Sequence, residues 1–123
     1  MSGIDRLFDV KNLFYLGQYQ QCILEAQKLS TKVEEEKVAK DVFMYRSYIA
    51  QGKASLVLSE ISERTDNPHL KAVRRFAEYQ NPADKQRIAK QVQLEVSEGT
   101  APTDDTSCIV AGLILNDENV CFH

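Results

Sequence analysis

Residues 7–23 read Leu7-Phe8-Asp9-Val10-Lys11-Asn12-Leu13-Phe14-Tyr15-Leu16-Gly17-Gln18-Tyr19-Gln20-Gln21-Cys22-Ile23, and this stretch decides the fold. Ile4, Leu7, Phe8, Val10, Leu13 and Phe14 recur at three- and four-residue spacing, the period of a helix buried on a broad face. Gly17 stops it, since glycine just past a helix takes the left-handed conformation at no steric cost. Tyr19, Cys22, Ile23, Ala26 and Leu29 then resume the period, which predicts a short antiparallel helix pair. A second glycine, Gly52, follows Gly17 by 35 residues. The same shift carries Leu7 onto Val42, Phe8 onto Phe43, Val10 onto Tyr45, Lys11 onto Arg46, Leu13 onto Tyr48, Phe14 onto Ile49, Cys22 onto Val57, Ile23 onto Leu58 and Glu25 onto Glu60. The pair is repeated.

The rest of the chain follows the same grammar. Thr31-Lys32-Val33-Glu34 reads as a capping box in which the threonine oxygen takes the Glu34 amide, opening a third helix through Val38, Val42, Phe43, Tyr45, Tyr48 and Ile49 to Gly52. Leu56, Val57, Leu58 and Ile61 make a fourth. Asn67-Pro68 places a cap residue before a proline at the first helical position, ahead of Leu70, Val73, Phe76 and Ala77. Asn81-Pro82-Ala83-Asp84 repeats that signal before Ile88, Val92 and Val96, and Gly99 ends the sixth helix. After a loop from Thr100 to Thr106, Asp105, Thr106 or Ser107 can cap a seventh helix over Cys108 to Leu115. No alternating Val/Ile/Thr-rich stretch bounded by hairpin turns claims a strand. The expectation is an all-α protein, one helical-repeat domain over 1–123. Its pairs lie at about 4–29, 33–61 and 68–98, with an incomplete fourth at 107–123. A period near 34 with a helix, a glycine turn and a second helix resembles the tetratricopeptide repeat, whose antiparallel pairs stack into a solenoid because none buries its apolar face alone. Departures such as Asp9 at an apolar position, and Gly52-Lys53-Ala54 without the aromatic seen at Tyr19, make it tetratricopeptide-like rather than regular.

Composition narrows the function. With 123 residues, 43% hydrophobic and 27% charged, the chain has the make-up of one soluble globular domain. Fifteen basic against eighteen acidic residues leave a net charge of −3, without the concentrated positive field that phosphate backbones require, so no nucleic-acid partner is expected. The polar start, Met1 to Arg6, has no secretory core, and Ser2 and Val120 stand where lipidation would need glycine and cysteine. The longest apolar run, Ile109 to Leu115, falls short of the roughly 20 residues of a membrane span. Cytoplasmic residence is expected. Cys22, Cys108 and Cys121 form no C-x-x-C pair, and neither His69 nor His123 has a second ligand at metal spacing, so no metal or cofactor is expected. Asp104-Asp105 is the closest acidic pair and lies in a capping loop without a helper base. The chain reads as a non-enzyme.

Among the surface candidates, Glu34-Glu35-Glu36 are accounted for by the helix dipole. Arg74, Arg75, Lys85, Arg87 and Lys90 read as a solvated charged face diluted by Asp84 and Glu95. Tyr15, Tyr19, Tyr45 and Tyr48 read as packing residues with hydroxyls reaching water or a carbonyl. Lys11 and Arg46 occupy equivalent places on first helices of successive pairs, which line the concave face of such arrays, and can form a basic pair facing an acidic segment. Lys11, Tyr15 and Arg46 are the candidate partner contacts.

Leu7-Phe8-Asp9-Val10-Lys11-Asn12 with Phe14-Tyr15 and Gly17, Tyr19-Gln20-Gln21-Cys22-Ile23 with Glu25-Ala26, Asp41-Val42-Phe43-Met44-Tyr45-Arg46 with Tyr48 and Ala50-Gln51, and Ala72-Val73-Arg74 with Phe76-Ala77-Glu78-Tyr79 also resemble, in order and spacing, the epsilon subunit family of coatomer, the COPI vesicle coat. The resemblance covers about residues 4 to 80. It implies a helical-repeat scaffold without enzymatic activity that holds the carboxy-terminal part of alpha-COP, and through it the other coatomer subunits, in transport between Golgi and endoplasmic reticulum. It implies a cytoplasmic protein, peripheral on Golgi membranes and COPI-coated vesicles, meeting membrane only through the coat. Family members continue for more than twice this length, so a truncated or alternative carboxy terminus is expected, with Cys108 to Leu115 at an uncapped end. The alternative from the same architecture is an adaptor that binds short peptide segments in its concave groove, whose mark would be a lysine and asparagine clamp along the first helices. Lys11 and Asn12 begin such a clamp, and Arg46 and Ser47 do not complete it.

Overall fold

A computed structural model describes the backbone of residues 6–121 and the side chains of 7–117. Seven helices and no strand occur among the described residues: α1 (Arg6–Tyr15), α2 (Tyr19–Lys28), α3 (Glu34–Ala50), α4 (Ala54–Glu60), α5 (Pro68–Tyr79), α6 (Lys85–Glu98) and α7 (Asp105–Cys121). The expected all-α class is what the chain adopts. Ile4, Phe122 and His123 lie outside the described residues, as do the side chains of Val120 and Cys121. The helices group into two compact units, residues 1–53 and 54–123.

In the first unit, α1, α2 and α3 close around Val10, Cys22, Ala26 and Phe43, with Leu7, Leu13, Phe14 and Met44 packed against them. The turn between α1 and α2 is the one the glycine announces. Gly17 has φ +79, its amide donates to the Phe14 carbonyl at 3.0 Å, and the Gln18 amide reaches back to Leu13 at 2.9 Å, a Schellman motif that satisfies two carbonyls of the last turn. The sequence repeat reappears in the hydrogen bonds. Gly52, also at φ +79, donates to Ile49 at 3.0 Å and Lys53 to Tyr48 at 2.8 Å, the residues that the 35-residue shift aligns with Phe14 and Leu13. No atom lies within 4 Å of a Cβ built on Gly17, so substitution there tests backbone conformation alone. Gly17→Ala is expected to lower stability by about 1 kcal/mol, the cost of one left-handed alanine. Urea denaturation followed by circular dichroism checks this, and an unchanged midpoint would mean the turn does not hold the pair.

Cys22 and Ser47 are the polar groups of this core. The Cys22 thiol lies 3.4 Å from the Val10 carbonyl and Ser47 Oγ donates to the Phe43 carbonyl at 2.8 Å. Burial pushes the Cys22 thiol up, with a hydrogen bond from Ser47 opposing it, so it is an inert packing residue.

In the second unit, α5, α6 and α7 bury Ala72, Tyr79, Ile88, Ala89, Val92, Val110 and Ile114. Asn67 caps α5 as its sequence predicts, its Oδ1 accepting the His69 and Leu70 amides at 2.9 and 3.2 Å with Pro68 in the first turn. The α7 helix runs beside α5 in the same direction. At one end His69 Nδ1 meets Thr106 Oγ1 at 2.7 Å, and at the other Tyr79 OH donates to Asp117 Oδ2 at 2.6 Å. These contacts span 37 and 38 residues of sequence, so α7 follows α5 in near-constant register. Arg74 ties α4 to α5 by donating to the carbonyls of Leu58 at 2.8 Å and Ile61 at 2.6 Å, groups that the end of α4 leaves unpaired.

Several local expectations are corrected. Thr31 makes no capping box. The α3 helix starts after Val33, and Thr31 Oγ1 instead accepts the Val33 amide at 3.2 Å and donates to Glu36 at 2.9 Å. Asn81 accepts the Ala83 amide at 3.1 Å in a turn, so α6 begins three residues later than a cap at Asn81 predicts. The cap of α7 is Asp104, which accepts the Ser107 amide at 3.0 Å, and the helix continues past Leu115 to Cys121. Phe8 and Val96, both expected to be inward, are exposed. Val10, Leu13 and Phe14 fill the covered side of α1, and Ile88, Ala89 and Val92 that of α6, leaving their neighbours on the wrong side of the helix.

Candidate functional site

Three elements of the first unit bring aromatic rings together. Phe14, near the end of α1, is the hub: its ring centroid lies 5.4 Å from Tyr15, 5.6 Å from Tyr19 at the start of α2, and 5.5 Å from Phe43 on α3. Each contact is edge-to-face, the arrangement aromatic quadrupoles favour. Arg46, one turn beyond Phe43, lays its guanidinium carbon 4.5 Å from the Phe14 centroid and 5.8 Å from that of Phe43. This is a cation held over π faces.

Of the sequence-predicted contacts, the structure therefore joins Arg46 and Tyr15 through the same two rings. Tyr15 lies 6.0 Å from Phe43 and is 66% exposed, which overturns its reading as a packing residue, whereas Tyr19, Tyr45 and Tyr48 are half-buried as expected. Lys11 is exposed one turn before Phe14 and Tyr15 on α1. Phe8 at 58% and Leu16 at 65% extend the exposed apolar surface of the helix. Sequence periodicity did not single out these two, because a residue at the edge of an apolar stripe is covered only if a neighbouring helix reaches it.

The basic cluster of the second unit is a solvated face only in part: Arg87 and Lys90 are exposed as expected, whereas Arg74 and Arg75 are engaged. Arg75 makes two parallel bonds to Glu95, both 2.8 Å, and Gln91 donates to the same carboxylate at 2.9 Å. Hydrogen bonding to Arg75, with Gln91's bond beside it, holds Glu95 below the usual carboxylate range against the opposing effect of burial. Arg74 meets Glu63 at 3.3 Å and Glu78 at 3.5 Å, Arg87 meets Asp84 at 3.4 Å, and Lys85 meets Asp117 at 3.6 Å. Arg74, Arg75 and Lys85 tie separate elements together, whereas Arg87 pairs within one turn. Asp104, one of the close acidic pair, is committed to its cap: burial raises it, yet the Ser107 hydrogen bonds and nearby His69 leave it below its ordinary value. Among the described residues no group of three or more His, Cys, Asp and Glu side chains can hold a metal ion, and no helix is long and apolar enough to cross a membrane.

The described residues form an all-helical protein whose first unit carries exposed aromatic and basic side chains. Its sequence matches the family model described as coatomer epsilon subunit over residues 3–121, and the chain belongs to that family. It is 48% identical over 117 residues to coatomer subunit epsilon of Caenorhabditis elegans, covering 94% of this chain and 40% of that protein. It is 36% identical over 118 residues to coatomer subunit epsilon-2 of Arabidopsis thaliana, covering 95% and 40%, and 33% identical over 122 residues to coatomer subunit epsilon of Dictyostelium discoideum, covering 93% and 41%. The chain thus spans about 40% of the length of the curated relatives it matches.

Proposed function

We propose that this chain acts as a scaffold subunit of the COPI vesicle coat, without enzymatic activity, and that it holds the carboxy-terminal region of alpha-COP in transport between Golgi and endoplasmic reticulum. The observation that carries the reading is the family match over 3–121. Two structural features support it. The repeated Schellman turns at Gly17 and Gly52 and the in-register path of α7 along α5 suit a tetratricopeptide-like array of helix pairs over 1–123. Exposed Lys11 and Tyr15 with half-buried Arg46 offer a protein contact that needs no cofactor. The protein would then be cytoplasmic, peripheral on Golgi membranes and COPI-coated vesicles, and linked to other coatomer subunits through alpha-COP. The peptide-adaptor alternative is weakened at position 47, where the lysine and asparagine clamp would need a surface asparagine and Ser47 is instead wholly buried and donates to the Phe43 carbonyl.

The test is a pull-down of the purified alpha-COP carboxy-terminal region with this chain, with circular dichroism of the chain alone and in mixture. Retention of alpha-COP with a rise in helical signal or melting temperature is the expected result. A well-folded chain that leaves alpha-COP in the flow-through would overturn the scaffold reading for this chain.

A further inference from the structure

The arginines of the described structure are not all placed alike. Arg74, Arg75 and Arg87 each meet a carboxylate within hydrogen-bonding or ion-pair distance. Arg46 is half-buried and meets instead the faces of Phe14 and Phe43. Stacking occupies the flat face of a guanidinium and leaves its N–H edge free, and that edge matches a carboxylate in bidentate fashion. Lys11, exposed one turn before Phe14, supplies a second cation. Neither has a carboxylate partner among the described residues. Asp9 is the one acid of α1. It lies two residues from Lys11, about 200° around the helix, and so does not neutralise this side.

We infer that the face formed by Lys11, Tyr15 and Arg46, with Phe8 at its edge, is a docking surface for an acidic, extended segment of another protein, one that carries a bulky apolar residue among its carboxylates. Charge complementarity selects the acids: two cations stand on this side with no carboxylate partner among the described residues. The exposed ring of Tyr15 selects the apolar residue, which covers it on docking. A lone solvated cation contributes little to binding. A guanidinium pre-set on an aromatic platform loses less freedom on pairing, and Arg and Tyr beside one another are the residues that dominate protein interfaces. Two cations are too few for a phosphate backbone or a lipid surface, where affinity accumulates from many weak contacts. The identity of the protein supplying the segment rests on the coat-scaffold reading, but its chemistry rests only on these side chains.

The test titrates the full chain against a short labelled peptide of glutamates around a central Leu-Phe pair, and against the same peptide with lysines for glutamates. Anisotropy reports binding. The acidic peptide is expected to bind with an affinity that falls as salt is raised, and the lysine peptide not to bind. Lys11→Glu, Arg46→Ala and Tyr15→Ala are each expected to weaken binding about tenfold or more, and Arg46→Lys not to restore it, because an ammonium lacks the planar edge. Lys11→Glu alters an exposed side chain and leaves folding intact by circular dichroism, so it decides the question if Arg46→Ala disturbs the aromatic cluster. Equal binding of the two peptides, undiminished binding by Lys11→Glu, or binding to phosphatidylserine vesicles in place of the acidic peptide would overturn the proposal. The same variants are run against the alpha-COP region. Wild-type capture of alpha-COP by Lys11→Glu and Arg46→Ala sinks this surface and spares the coat reading, whereas peptide binding without any capture of alpha-COP does the reverse.

Discussion

Ile114→Ala is expected to destabilise the unit of residues 54–123 by about 3 to 4 kcal/mol, the largest effect of any single substitution considered for this protein. Ile114 is wholly buried on α7, in a cluster contributed by α5, α6 and α7 together. Removing its outer carbons takes away their transfer free energy and leaves a cavity as well. The cavity closes only in part, because the surroundings relax incompletely and Ala72 and Ala89 in the same cluster have only a methyl group to offer it. Urea unfolding of the variant, read by helical circular dichroism, measures the loss. Since domains have total stabilities of about 5 to 15 kcal/mol, a variant with an early, separate transition is the expected trace. A loss below about 1 kcal/mol would show that α7 does not share its core with α5 and α6.

Arg75→Ala comes second, with an expected loss of about 2 kcal/mol. The pair it breaks is bidentate at 2.8 Å, and the Glu95 side chain is only 16% exposed. Truncating the arginine strands a largely desolvated carboxylate, which costs more than the pair itself contributes. A double variant, Arg75→Met with Glu95→Gln, removes both charges and is expected to recover part of the loss. The pair also imposes a pH signature. Glu95 sits below its ordinary value in the folded chain, so its contribution is present above the ordinary glutamate range and is lost as pH falls below about 4 through the folded value. Wild type should therefore lose stability in that acid window more steeply than Arg75→Ala. Parallel acid titrations of the two proteins decide this, and superimposable profiles would sink it.

How much of this was legible beforehand depended on range. Asn67 could be read as a cap because the amides it satisfies, of His69 and Leu70, lie two and three residues away. Gly17, Gly52 and Gly99 could be read as helix ends for the same reason, and each has positive φ. Thr31 misled because other partners take up its hydroxyl: the box requires its oxygen to accept the Glu34 amide, and it instead accepts the Val33 amide and donates to Glu36. At the candidate site, Lys11 and Arg46 emerged from the 35-residue repeat. That Arg46 would lie over Phe14 did not, since the ring and the cation belong to α1 and α3 and meet only when the two helices pack.

The sequence by itself determined that this protein is helical, where most of its helices stop, and which family it resembles, because turn chemistry, caps and apolar period act within a few residues of one another. The tertiary structure alone decided which apolar residues are covered and which cations are already spoken for. Phe8 and Val10 look alike in a stripe, yet Val10 is buried in the core of the first unit and Phe8 is exposed. Arg75 and Arg46 look alike as surface charges, yet one is locked to a carboxylate 20 residues away while the other rests on the Phe14 and Phe43 rings. Burial and pairing are properties of two surfaces meeting, and the second surface in each case comes from a distant part of the chain.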